Sequence, residues 1–256
     1  MSNLFSPLEQ FEIIPVISFR LGFLDFSITN ETVILGVIFF FGSFLFDFSF
    51  NDKDSTFYII PHRWQSIQES MSRLISAMIS DNIASKQVGP YFFPLVISLF
   101  SYILMLNLIG LVPYSFTLTS HLIVTFAIAL FVFIGINIVC VKKHGLEFFS
   151  LFLPGGTGFV LALLILPIEL ISFIYKSVSL SIRLFANMMA GHTLLKVIAG
   201  FAWTLSGCAG VLFLMHYIPL IILIPLFGLE LGVAFIQAFV FSILICIYLN
   251  DAINLH

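Results

Sequence analysis

Arg183 stands amid an apolar stretch, 177–201, SVSLSIRLFANMMAGHTLLKVIAGF, where most neighbours are leucine, isoleucine, phenylalanine, valine or alanine. A guanidinium keeps its charge at physiological pH. At the centre of a bilayer a cation costs roughly 2.5–3.5 kcal/mol on insertion scales, so such residues face protein or water and mark functional sites. Few other polar groups share this environment. Glu169, Lys176, Asn187 and His192 lie in the same long apolar segment, and Glu230, Gln237 and Asp251 lie in the last one.

Their spacing is ordered. Glu169, Lys176 and Arg183 recur every seven residues, which keeps them on one helix face with about 20° of drift per heptad. Asn187, four residues on, stays near that face. Glu230, Gln237 and Asp251 also differ by multiples of seven and form a second stripe. If the two segments fold back on each other at Gly210, residues at equal depth have numbers with a constant sum. Arg183 with Gln237 and Glu169 with Asp251 share that sum, and His192 with Glu230 falls within two of it. The expected result is three layers: an acidic pair, a permanent cation with its amides, and an acid with an imidazole.

Carboxyl and imidazole groups take up and release protons, and chains of them inside membranes act as relays. Arginine cannot relay, because it does not give up its proton. It can interrupt a proton wire and attract a carboxylate from a partner. The layers therefore predict two half-pathways that do not meet. Structural readings stay open for each member. Glu169 could form an ion bridge with Lys176 or Arg183, Asp251 could be a solvated helix end, and Lys176 could snorkel. His192, nine residues from Arg183 and so roughly on the opposite helix face, could be a packing residue; Glu230 has no neighbour of opposite sign in sequence.

The elements that hold these residues must be membrane helices. The chain has 256 residues, of which 60% are hydrophobic and only 9% charged, and a mean hydropathy of +1.14; soluble domains carry about 25% charged residues. No Asp, Glu, Lys or Arg occurs in 87–141 or in 197–229. Such runs exceed the roughly 20 residues that cross a bilayer, and they do not alternate as barrel strands do. The fold class is therefore all-α integral membrane protein. The N-terminus, MSNLFSPLEQFEIIP, lacks the basic region of a cleaved signal or transit peptide. Cys140, Cys208 and Cys246 stand singly in apolar surroundings and read as small buried hydrophobes. No metal cluster, nucleotide loop or nucleophile constellation is present, so neither cofactor nor bond chemistry is expected.

Taken in order, residues 1–30 form a mixed external segment, and 32–50 is a first span with Asp47 near its end. After the polar loop at 51–55, residues 61–86 place Trp64, Ile67, Met71, Leu74, Ile75 and Met78 at three- and four-residue steps with polar residues between. That period predicts an amphipathic helix, too polar to span and suited to the membrane surface. A transmembrane hairpin over 91–141 turns at the Pro113 region. The region 158–254 holds two apolar segments of about 40 residues, each roughly 60 Å as helix against a hydrocarbon core of about 30 Å. They must be steeply tilted, broken, or both, with Pro167, Pro219 and Pro225 as candidate bends. All of this reads as one membrane domain, 1–256. Lys53, Arg63, Arg73, Lys86, Lys142 and Lys143 cluster in loops of one side, whereas the turns near 113–118 and 203–211 hold no Lys or Arg. The positive-inside rule then puts the N-terminus outside and the C-terminus inside.

The segments SLSIRLFANMMAGHTLLK and LELGVAFIQAFVFSILICIYLNDAINLH, with PYSFTLTSH and SPLEQFEIIP, closely resemble the subunit a family of F-type ATP synthases, specifically its mitochondrial form. The resemblance spans essentially the whole chain. It implies a stator beside a rotating ring of c subunits, in which the residue matching Arg183 faces the ring carboxylate and prevents proton short-circuiting. It assigns the positions of His192 and Glu230 to the half-channel open to the intermembrane space, and those of Glu169 and Asp251 to the matrix half-channel. Asn187 and Gln237 match polar residues near the arginine. The implied partners are the c-ring, the peripheral stalk, other membrane-sector subunits and lipids, with no nucleic acid, and the implied location is the mitochondrial inner membrane. One position departs from the pattern: Ser181 stands where the family usually has glycine, which implies added bulk next to the ring. A secondary transporter using the same charges is the rival reading. It would be favoured by inverted repeats, and the chain halves show none. A purely structural membrane subunit is a third, with little use for layered polar residues.

Overall fold

A computed structural model describes residues 8–21, 24–50, 63–83, 89–112, 115–145, 159–207 and 215–253. The loop at 51–55, Lys86, Pro113, the glycine break at 155–158 and Cys208 lie outside them. Beyond the N-terminal segment, the described residues are mostly helical. Its helices are α1 (Asn30–Phe50), α2 (Arg63–Asn82), α3 (Gly89–Gly110), α4 (Leu122–His144), α5 (Phe159–Ser206) and α6 (Tyr217–Ile253). Four of them, α3 to α6, are long and apolar enough to cross a membrane, and α1 adds a shorter apolar stretch, Asn30–Phe40. The protein is thus a multi-pass membrane protein.

The N-terminal segment holds regular structure that composition did not reveal. A 3₁₀ turn, Glu9–Phe11, precedes four short strands, β1 (Pro15–Ile17), β2 (Arg20–Leu21), β3 (Leu24–Asp25) and β4 (Ile28–Thr29). They pair antiparallel, β1 with β4 and β2 with β3. Asn30 ties this hairpin to α1. Its Oδ1 accepts from the amides of Glu31 at 3.0 Å and Ile14 at 3.3 Å, and its Nδ2 donates to the Glu12 carbonyl at 3.1 Å. Helix starts leave free N–H groups that such side chains satisfy.

Helices α3 to α6 are hydrophobic all round, as helices in lipid or in a core must be. Many large apolar side chains are accordingly exposed on the chain, among them Ile123, Phe131, Leu163 and Trp203. Only α2 is amphipathic, with Ile75, Met78 and Ile79 buried and Arg73 outward, paired with Glu69 at 3.1 Å. Ile67, expected on the apolar face, is exposed. Helix α4 ends at Gly145, whose φ of 57° is the left-handed conformation glycine adopts without cost. The two long helices are continuous rather than broken: 48 residues in α5 with Pro167 inside it, and 37 in α6 with Pro225 inside it. At 1.5 Å per residue they measure about 72 and about 56 Å.

Contacts group the chain into two compact units. One comprises Met1–Phe44, Tyr102–His121 and Leu184–Gln237; its core includes Ile103, Leu106, Phe116, Leu184 and Met188. The other comprises Leu45–Ser101, Leu122–Arg183 and Ala238–His256, with Ile75, Phe100, Ile136, Ile245 and Leu249 buried. Along α6, Ala234, Ala238, Ser242 and Cys246 are all fully buried. A four-residue stripe of small side chains lets helix backbones approach closely in a membrane.

Candidate proton-path residues

In the first unit, Glu230 of α6 is buried and lies against Gly191 of α5. A Cβ on Gly191 would fall 2.7 Å from Glu230 Oε1 and 3.1 Å from its Cδ. A side chain at this position would force the carboxyl to shift. Neither carboxyl oxygen has a hydrogen-bond partner among the described residues. His192, the next residue, is half-buried, and its Nε2 likewise has none. The structure thus brings Glu230 to the turn of α5 that carries His192, the depth expected from the residue numbering. Gln237 is buried and Asn187 half-buried in the same unit.

A residue that the spacing argument passed over completes this unit. Asn107 of α3 is fully buried, and its Nδ2 donates to the Ala234 carbonyl at 3.3 Å, one turn beyond Glu230. Its Oδ1 has no hydrogen-bond partner among the described residues. Beyond α3, Thr117 and Thr119 are buried, and their hydroxyls have no hydrogen-bond partner among the described residues. Phe116 stacks on His121 with ring centroids 5.0 Å apart, so His121 packs in a turn rather than projecting freely. The available signal was an uncharged polar residue inside the longest charge-free run.

In the second unit, Asp251 of α6 pairs with Lys176 of α5 at 3.8 Å. The layering had set Asp251 beside Glu169, one heptad earlier. Lysine's long stem reaches past its own turn, and the ammonium also lies over the Tyr248 ring, 5.2 Å from its centroid, a cation–π distance. Glu169 is half-buried and forms no ion pair among the described residues. The end of α6 is held from α4: Lys143 Nζ and His144 Nε2 both meet the Ile253 carbonyl, at 3.0 and 3.1 Å. Cys140 and Cys246 are buried free thiols, as their sequence context predicts.

Arg183 closes this unit on α5, and its side chain is exposed. No carboxylate among the described residues lies within ion-pair reach of it. Ser181, expected to add bulk on the same side, does not. It is fully buried, and its Oγ lies 3.2 Å from Thr125 Oγ1 of α4. Two residues turn an α-helix by about 200°, so the serine and the arginine point in nearly opposite directions.

Known proteins resemble this chain over nearly its full length. The family described as "ATP synthase A chain" matches residues 31–250. The chain is 52% identical to "ATP synthase subunit a" of Pylaiella littoralis over 251 residues, which is 98% of this chain and 99% of that protein. It is 47% identical to the same-named protein of Chondrus crispus, over 98% of this chain and 97% of the relative. The relative from Marchantia polymorpha is 46% identical, over 98% and 99%. A family match over most of the chain and relatives this similar over nearly their full lengths leave one assignment: the chain belongs to the ATP synthase A chain family.

Proposed function

We propose that this chain is the stator of a proton-driven rotary synthase, serving a rotating ring of carboxylates through two offset half-channels. The coarser statement rests on the family: it is a proton-translocating, membrane-sector subunit of ATP synthase. In the finer reading, protons enter from one side past His192 and Glu230, with Asn187 and Gln237 as polar neighbours near the barrier. They neutralise a ring carboxylate, travel with the ring, and leave past Glu169 and Asp251, with Lys176 holding Asp251. Arg183 stands between the two paths and forces the proton to travel with the ring. The chain makes and breaks no covalent bond other than to protons.

One observation carries this reading: Arg183 is exposed on a membrane helix with no carboxylate among the described residues in reach. A permanent cation in lipid needs a counter-charge, and a carboxylate on a neighbouring ring subunit supplies one. Glu230 supports the inlet. A buried carboxyl that lacks donors among the described residues is satisfied by protons or water, both of which a half-channel brings.

The same reading makes 1–256 one membrane domain, with α1 as the first span, α2 on the membrane surface, α3 and α4 as a hairpin, and α5 and α6 steeply tilted. Their lengths require the tilt, since about 72 and about 56 Å of helix must fit a core of about 30 Å. Lys142 and Lys143 in the last turn of α4 support an insertion with the C-terminus inside and the N-terminus outside. The mitochondrial inner membrane, with the N-terminus toward the intermembrane space, is the location we propose. Partners are the c-ring, the peripheral stalk, other membrane-sector subunits and lipids. No observation favours an ion-coupled transporter.

Replacing Arg183 tests the mechanism. In the assembled complex, Arg183→Ala abolishes proton-driven ATP synthesis and opens a passive leak, and Arg183→Lys, which keeps charge without the planar fork, also fails. Normal synthesis by Arg183→Ala overturns the barrier role.

A further inference from the structure

Most helical serines of this chain satisfy their hydroxyls locally. Ser70, Ser98, Ser172 and Ser242 each donate back to a carbonyl three or four residues earlier, the usual habit of serine in a helix. Ser181 does not. Its hydroxyl meets Thr125 Oγ1 of α4 at 3.2 Å, and both residues are fully buried.

The direction of this bond follows from counting protons. A hydroxyl has one proton to give. Thr125 spends its own on the Leu122 carbonyl at 3.1 Å. Ser181 is therefore the donor, and the chain runs from Ser181 to Thr125 to Leu122, joining α5 to the first turn of α4. Around it, Ser177, Leu180, Ser181 and Leu184 form the buried stripe of α5, and Arg183 points the other way. Dispersion contacts along such a stripe tolerate small rotations of the helix. A short bond between two buried hydroxyls does not, because its strength falls steeply with distance and angle.

We propose that the Ser181–Thr125 hydrogen bond is a rotational pin that fixes the facing of α5 and so aims the Arg183 guanidinium away from α4. Ser181 and Thr125 are positioning residues, acting through Arg183. This rests on the reading of Arg183 as the barrier between half-channels. A cation meeting a moving carboxylate works only in register, and misplacement by about 1 Å costs up to ~10²-fold where charged groups must align. A serine at this position also leaves the outward face of α5 unencumbered, because its volume is turned inward.

The test uses the assembled complex in liposomes, with passive proton leak and ATP-driven pumping measured in the same vesicles. Parent, Ser181→Ala, Thr125→Val, the double variant and Arg183→Ala are compared at equal assembly on native gels. The pin predicts that Ser181→Ala and Thr125→Val each raise the ratio of leak to coupled pumping by about 5- to 100-fold. It also predicts that the double variant is no worse than either single one, and that the exchanged pair, Ser181→Thr with Thr125→Ser, returns the ratio to near the parent. A residue that only fills space predicts parental coupling in Ser181→Ala, which loses a single oxygen; that result overturns the pin. So does full additivity in the double variant. If Ser181→Ala fails to assemble, Ser181→Cys keeps the volume with a far weaker donor and faces the same two outcomes. Uncoupling by Arg183→Ala with unchanged Ser181 and Thr125 variants removes the pin alone, whereas coupling that survives Arg183→Ala removes the barrier reading beneath it.

Discussion

At the residue scale, the proposed inlet depends on a side chain that is missing. Gly191 has no Cβ, and the Glu230 carboxyl occupies the space where one would stand, 2.7 Å from Oε1 and 3.1 Å from Cδ. Both distances are shorter than ordinary contacts, and the displaced atoms are those proposed to carry the proton. Gly191→Ala should therefore push Glu230 off its position while adding helix propensity of about 1 kcal/mol to α5. Assembly should survive, and proton-driven ATP synthesis should fall by about tenfold or more, as for other misplaced reacting groups. Combining it with Glu230→Asp, which draws the carboxyl back by one methylene, should recover part of the loss. A Gly191→Ala complex that synthesises ATP at the parental rate would show that the carboxyl has room to spare. The seven-residue spacing and the antiparallel numbering made Glu230 and the His192 turn legible before any coordinates, because polar residues in an apolar chain are conspicuous. Gly191 was not, since a glycine in a membrane helix is common and its role lies wholly in what its neighbour needs.

At the element scale, the helices could be read from the sequence and their facing could not. Apolar stretches of helix length gave α3 to α6, and the three- and four-residue period gave α2. Which side of α5 meets α4 is decided by Ser181 and Thr125, and which carbonyl of α6 is held by α4 is decided by Lys143 and His144. Neither Ser181 and Thr125 nor Ile253 and its two basic partners are near in sequence, and each contact depends on rotations that an all-round apolar helix does not encode. The clamp on Ile253 has its own consequence. The last carbonyls of a helix lack internal partners, and here two basic side chains serve one of them, two residues from Asp251. Lys143→Ala alone should be mild, because His144 still donates. The double variant Lys143→Ala with His144→Ala should fray the end of α6. A hydrogen bond from a charged donor is worth about 1.5–3 kcal/mol, so amide exchange over the last turn should quicken by about 10- to 100-fold. Exchange that stays at the parental rate in the double variant would mean the end of α6 is held by packing alone.

At the scale of the whole molecule, the direction of proton flow requires a direction of insertion, and charge sets it. Lys142 and Lys143 end α4 and Arg73 lies on α2, whereas the turn after α5 holds no Lys or Arg. Moving lysines across a bilayer is costly and moving an uncharged turn is not, so the proposed insertion keeps these basic helix ends on the side of synthesis. With α3 to α6 as spans, the proposed insertion alternates, and it sets the proposed inlet residues His192 and Glu230 nearer the connection from α5 to α6 and Asp251 nearer the basic side. Impermeant thiol labelling separates this insertion from its reverse. In a Cys208→Ser background, with Cys140 and Cys246 buried, Lys142→Cys should react only when reagent reaches the inner face, and Gly207→Cys only from the outer face. Gly207 is exposed at the end of α5 and Lys142 is exposed near the end of α4, so both thiols are within reach of solvent. Reversed labelling would exchange the two half-channels, making His192 and Glu230 the outlet during synthesis and Glu169 and Asp251 the inlet, while leaving Arg183 between them. Labelling of both positions from one face would break the alternation itself, and with it the hairpin of α5 and α6 on which the two-path reading depends.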